Sequence, residues 1–182
     1  MVRLVALAFL VISVFASPVA AQTAAPNTLT LETTKGRIVI RLRADLAPKH
    51  AERMTMLARE KYYDNAPFHR VMEGFMAQTG DGQRGDGTGK SKYPDLQAEF
   101  SKVPYQRGIV GMARGAHSIH SANSQFFIMF GENAGLNGQY TVVGEVVSGM
   151  DVVDKLKKGN PQVRDGAVTD PDRIVRATAG GS

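Results

Sequence analysis

Cysteine is absent from the sequence, which excludes disulfides, thiol nucleophiles and cysteine-ligated zinc. Charge of one sign is also scarce. Lysine and arginine total 22 against 17 acids, a net +5 over 182 residues with no long basic run, so nucleic acid is not indicated as a partner. No G-x-S-x-G elbow is present for serine chemistry, no carboxylates pair in an apolar setting, and neither repeats nor a second domain can be found. Gly87-Thr88-Gly89-Lys90-Ser91 invites a phosphate-loop reading and fails it. That motif needs glycine where Arg84 stands, and Pro94 would disrupt the helix that must follow. His117 and His120 share a polar loop but have no third ligand at useful spacing, so no metal is expected.

What is present is ordinary in bulk and informative in detail. At 43% hydrophobic and 21% charged, the chain suits one globular domain with a sizeable core. Its 19 glycines point to many tight turns in a β-rich fold. The beginning is different in kind. Met1-Val2-Arg3 is a short positive segment, Leu4 to Ala16 is apolar, and Val19 and Ala21 supply small residues for cleavage before Gln22. The apolar run is too short to span a bilayer comfortably, which favours a leader over an anchor. Residues 1–21 are therefore expected to be a cleavable signal peptide, 22–28 a linker and 29–180 the folded domain. The mature protein is expected to be exported, in a bacterium to the periplasm, and free of the membrane after cleavage.

From Leu29 the apolar residues alternate: Leu29, Leu31, Thr33, a turn at Thr34-Lys35-Gly36, then Ile38, Ile40 and Leu42, which predicts a hairpin. Pro48 suits a first helical turn, and Ala51, Met54, Leu57, Ala58 and Tyr62 form a core-facing helical stripe. Two short apolar runs flank Glu73-Gly74. Further strands are predicted at Gly108–Ala113, Gln125–Phe130, Thr141–Val147 and Arg173–Ala177, with a second helix over Gly149–Lys157. About eight short strands and two helices predict a mainly β fold, a closed eight-stranded antiparallel β-barrel capped by two α-helices. The bulky, glycine-poor strands argue for a filled interior and against a small apolar ligand held inside.

The chemistry concentrates in Phe68 to Gly80. Strand alternation predicts Phe68, Arg70 and Met72 on one side of the first run, and Met76 with Gln78 on the second; His69 alternates away and is expected to be structural. A guanidinium beside a shelf of aromatics and methionines is unusual, because an unpaired polar group there is costly. Arg70 and Gln78 beside Phe75, Met76, Phe127 and Leu136 thus form the candidate site. It offers neither a nucleophile nor an evident general base. It can hold an apolar side chain while donating hydrogen bonds to a backbone carbonyl or amide.

Four ordered motifs carry a resemblance: F-H-R-V-M-E-G-F-M-A-Q-T-G-D, G-I-V-G-M-A-R, S-A-N-S-Q-F-F-I and L-N-G-Q-Y-T-V-V-G-E-V. Together they resemble the cyclophilin peptidyl-prolyl isomerases, and the likeness runs from Leu29 to Thr178. It implies an eight-stranded barrel with two capping helices, and a cofactor-free isomerase of X-Pro bonds. The implied partners are proline-containing polypeptide clients, here exported ones, and the expected state is a monomer. The family's essential arginine falls on Arg70, its proline-pocket residues on Phe75, Met76, Phe127 and Leu136, and its backbone-contacting polar residues on Gln78 and Gln125. Ala113 matches a small residue of the pocket rim, while Gly87 and Thr88 match the rim of a neighbouring pocket for side chains preceding the proline. Tyr140 stands where many members have histidine, and Arg114 where eukaryotic members have asparagine, a contact made largely by backbone. Gly135 replaces the tryptophan associated with tight cyclosporin binding, and the loop from Arg114 to Asn123 is slightly longer than is common. The alternative, a proline-peptide-binding chaperone or assembly factor with incidental isomerase activity, would use the same pocket, though simple docking would need only its apolar wall.

Overall fold

The computed structural model describes residues 27–160, 162 and 164–180; the expected signal peptide and all but the last two residues of the linker lie outside the described residues. In chain order the elements are β1 (Thr28–Thr33), β2 (Gly36–Leu42), α1 (Pro48–Arg59), β3 (Arg70–Met72), β4 (Met76–Thr79), β5 (Ile109–Met112), β6 (Phe126–Met129), β7 (Val142–Ser148), α2 (Met150–Asp154) and β8 (Ile174–Gly180). No helix among the described residues is long and apolar enough to cross a membrane.

The eight strands form one antiparallel sheet in the order β3-β4-β6-β5-β7-β2-β1-β8. Its two ends are joined by the segment just before β3. Phe68 N–H donates to Asp172 O at 2.8 Å, Ile174 N–H to Ala66 O at 2.9 Å, and Asn65 N–H to Ile174 O at 2.7 Å, while Pro67 bridges Arg173. This seam explains one departure from the alternation predicted for Phe68. The strand begins only at Arg70, and Phe68, fully buried, packs in the barrel interior instead of beside Arg70 and Met72.

The interior is filled. Leu29, Leu31, Ile38, Ile40, Val71, Ala77, Val110, Phe126 and Ile128 meet there with little or no solvent contact. Helix α1 starts with Pro48, which needs no N–H partner at that position, and buries Ala51, Met54, Leu57 and Ala58 against the sheet. Tyr62 lies beyond its end. Helix α2 is shorter than predicted, because after Asp154 the chain tightens: Lys155 and Leu156 donate to Val152 and Val153, three residues back. Val153 and Leu156 are nonetheless buried.

A second, smaller apolar cluster lies on the other face of β4 and β6. Met76, Tyr105, Phe127, Met129 and Val142 are buried in it, with Phe75, Ala113, Leu136 and Tyr140 packed around them. All four residues of β6 are therefore buried, Phe126 and Ile128 on one side and Phe127 and Met129 on the other.

Candidate active site

Residues directly opposite one another on paired antiparallel strands share a face. Arg70 pairs with Gln78, Gln78 with Phe127, and Phe127 with Gly111, so one row crosses β3, β4, β6 and β5 on the outer side of the barrel. Behind it Met72, Met76 and Met129 form a second row. The turn that sets the β3–β4 register is closed by Phe75 N–H to Met72 O at 3.1 Å. Gly74 takes φ +72° there, a conformation that a side chain disfavours. Gly111 serves packing instead. A Cβ at that position would come 2.4 Å from Phe127 Cζ and 2.5 Å from the Tyr105 hydroxyl, so its absence lets both rings settle over β5.

Phe127 is thereby held between Tyr105, stacked at 5.7 Å, and Tyr140, edge-on at 5.7 Å. Together with Phe75, Met76 and Leu136 it walls a cavity of about 140 Å³. Arg70, Gln78, Ala113, Arg114 and Tyr140 complete the lining. No thiol and no carboxylate is among these residues. Leu136 reaches the wall from a short 3₁₀ turn, Ala134–Leu136, which Asn133 caps by accepting Gly135 N–H at 3.0 Å. Arg114 lies over the Tyr140 ring at 4.6 Å and donates through Nε to Gln139 O at 3.1 Å, bracing that aromatic from outside.

The guanidinium of Arg70 is half-buried at the edge of this wall. Its Nε and Nη2 donate to the backbone oxygen and carboxylate of Asp165, at 2.8 and 2.6 Å. Nη2 also meets Met72 Sδ at 3.2 Å, and Nη1 has Met76 Sδ at 3.9 Å. Asp165 carries no pattern in the sequence that would tie it to an arginine so distant in the chain.

Beyond Gln78, Ala113 and Arg114, which line both spaces, opens a second cavity of about 270 Å³. Gly87 and Thr88, which the resemblance assigns to a neighbouring pocket, border it together with Gln125, and so do Lys90, Asp95, His117, Ser121 and Asn123, which the sequence had not placed at the site. A chain of side-chain hydrogen bonds connects the two: Gln78 Nε2 donates to Gln125 Oε1 at 2.9 Å, and Gln125 Nε2 to the carbonyls of Gly87 and Gly89 at 2.9 and 2.8 Å. The glycine-rich loop itself is organised by Asp81, whose carboxylate accepts N–H bonds from Gln83, Arg84, Gly87 and Gly89. Burial alone would raise the Asp81 pKa, but these backbone donors outweigh it and hold the carboxyl below its usual range. His69 lies beneath that loop, and burial holds its imidazole below the usual range, in keeping with a structural role.

All twelve residues expected at the site thus line one or other of two adjoining cavities on the same face. His117 lines the second cavity, while His120 Nδ1 accepts Ala98 N–H at 3.1 Å. The described residues contain no cluster of three His, Cys, Asp or Glu that could hold a metal ion.

Comparison with known proteins gives a consistent result. Residues 28–179 match the family model described as cyclophilin type peptidyl-prolyl cis-trans isomerase/CLD. A protein of Brucella suis named "Probable peptidyl-prolyl cis-trans isomerase" is 52% identical over 185 residues, spanning 96% of this chain and 93% of the relative. Peptidyl-prolyl cis-trans isomerase cypE of Dictyostelium discoideum is 36% identical, spanning 84% of this chain and 97% of its own. Among solved structures, a cyclophilin from Hirschia baltica superposes with a TM-score of 0.72 at 26% identity, over 84% of this chain and 73% of that one. A Cryptosporidium parvum cyclophilin-type isomerase, crystallised in the presence of the dipeptide Ala-Pro, has the same fold with a TM-score of 0.76 at 24% identity, over 85% and 99% of the two chains.

Proposed function

The chain belongs to the cyclophilin-type peptidyl-prolyl cis-trans isomerases, and from that premise we propose how its own residues carry out the reaction and where it works. The observation that carries the reading is a guanidinium set beside the apolar wall of a cavity whose lining holds no thiol or carboxylate. Amide resonance keeps an X-Pro bond planar with a barrier of about 18–20 kcal/mol, so uncatalysed rotation takes roughly 10–100 s. A twisted bond loses conjugation, and the prolyl nitrogen gains a free lone pair. Arg70 donates to that nitrogen or to the prolyl carbonyl, and the gain is larger in the twisted form than in the planar one.

Phe75, Met76, Phe127 and Leu136 clamp the proline ring while the preceding carbonyl turns. Gln78 and Gln125, already hydrogen-bonded to each other, contact the substrate backbone. Ala113, Arg114 and Tyr140 form the rim, and Gly87 and Thr88 border the space that receives side chains preceding the proline. Turnover in milliseconds requires about 10⁴-fold, roughly 5–6 kcal/mol, within reach of a few desolvated hydrogen bonds. A proline-isomerisation assay on the purified protein beside Arg70→Ala and Arg70→Lys tests the assignment. The alanine variant should lose most activity and the lysine variant recover little, because a point charge cannot reproduce the planar fork.

The clients are taken to be exported polypeptides, met by a monomer in the periplasm. The leader-like pattern of residues 1–21 supports the export. Mass spectrometry of the protein from its native membrane and soluble fractions should find a soluble species starting at Gln22 or within a residue or two. A membrane-bound species retaining Met1 would overturn it.

A further inference from the structure

Arg70 is held from outside the motif that contains it. The segment leading to β8 is laced onto β3 and the residue before it by two backbone hydrogen bonds, Gly159 N–H to Val71 O at 2.9 Å and Val168 N–H to His69 O at 3.0 Å. Between these anchors Asp165 and Gly166 both take left-handed backbone conformations, φ +53° and +78°. The chain there passes so close over Met72 that a Cβ on Gly166 would lie 2.4 Å from Met72 Cγ. That path brings both the backbone oxygen and the carboxylate of Asp165 against one edge of the guanidinium.

A guanidinium has five N–H donors in a fixed plane. Asp165 takes the Nε donor and one on Nη2, and Met72 Sδ lies 3.2 Å from Nη2. Nη1 has only the 3.9 Å approach to Met76 Sδ, and Met76 is part of the wall of the smaller cavity. Because the plane is rigid, gripping one edge determines where the opposite donors point. We infer that Asp165 is a positioning residue for the isomerase reaction, holding the Nε–Nη2 edge of Arg70 so that Nη1 is presented to the substrate. This rests on Arg70 being the donor of the reaction.

The surroundings argue for orientation over stability. The Asp165 side chain is 72% exposed against 27% for that of Arg70, and an ion pair so accessible contributes little to folding. Its effect on catalysis has a different origin. A long side chain free to swing spends less time in the productive geometry, and misplacing a catalytic group lowers turnover more than binding.

The test is a double-mutant cycle on the full protein, with kcat, KM and Tm measured for Asp165→Asn, Arg70→Ala and the combination. Asparagine keeps the shape and tolerates the left-handed conformation, so the loop should remain in place. Asp165→Asn should lower kcat by roughly 5- to 20-fold with KM within about twofold and Tm unchanged. In the Arg70→Ala background, assayed at raised enzyme concentration, the same change should cost less than about twofold, since its only route is through Arg70. An Asp165→Asn enzyme as fast as the parent, or faster, overturns the positioning role, and so does an equal loss in both backgrounds. Near-parental turnover by Arg70→Ala alone would instead strike the assignment of Arg70. The two failures are therefore distinguishable.

Discussion

The two faces of β4 and β6 belong to the same few residues and do opposite work. Inward, Ala77, Phe126 and Ile128 are buried in the larger apolar cluster of the barrel. Outward, Met76, Gln78 and Phe127 combine an apolar wall with two guanidinium groups, Arg70 and Arg114, the Gln78 amide and an open cavity. The inner face is closed packing, in which any lost volume is felt as lost stability. The outer face instead lines an open cavity, so if that cavity takes the substrate, a lost side chain there should be felt as lost turnover. A sheet with period two lets adjacent residues serve these separate ends.

The largest stability contrast should come from Ile128→Ala. Ile128 is fully buried inside the barrel, and truncation should cost about 2–5 kcal/mol. For a protein of this size that lowers Tm by roughly 5–15 °C. Measured well below that Tm, kcat/KM should stay within about twofold of the parent. A large kinetic loss at full folding would blur the division between the faces.

Gly135 sharpens the comparison from the rim. It is exposed, and an added Cβ would meet only Asn133 Oδ1, at 3.1 Å, so a side chain can be built there. The family resemblance places an indole at this position in cyclosporin-sensitive members. Restoring such an anchor should gain about 2–4 kcal/mol, roughly 30- to 1,000-fold in affinity. Titrating cyclosporin against the parent and Gly135→Trp in one isomerase assay should show poor inhibition of the first and a gain in the second, with turnover little changed. Tight inhibition of the parent would remove Gly135 from the account.

Phe75→Ala should show the outward signature in milder form. Phe75 is half-buried in the wall, so its loss should lower kcat/KM by about 10-fold while Tm moves by only a few degrees, read by peptide assay and thermal melt. The smallest effect concerns acid. Because the folded Asp81 pKa lies below its unfolded value, the carboxylate stabilises the fold above the unfolded pKa of about 3.9 and loses that contribution as pH falls through the folded one. Asp81→Asn should therefore flatten the stability profile below about pH 4, and urea melts from pH 2 to 6 check it.

Much of this was legible in the sequence, for identifiable reasons. Period-two alternation in β1 and β2 located their inward residues, and the order of four motifs located the outer face. Arg70 and Gln78 could be paired because a short glycine turn dictates the register between them. Alternation misled where the strand had not yet begun, at Phe68, whose neighbours are set by a seam to β8. Helix α2 was overextended because apolar spacing cannot distinguish α-helical turns from the tighter hydrogen bonds that follow it. Asp165 was not visible at all. Its meeting with Arg70 depends on how the segment after α2 crosses β3, and no local pattern encodes that path.

The central claim is that the outward row exists for catalysis, with Arg70 as the donor. The direct measurement is kcat/KM for a prolyl peptide and Tm, both on Arg70→Ala and on Ile128→Ala prepared alongside the parent. Arg70→Ala should lose about 10²–10³-fold in kcat/KM with Tm close to the parent's, while Ile128→Ala should melt early and turn over normally when folded. Near-parental turnover by folded Arg70→Ala would contradict the claim.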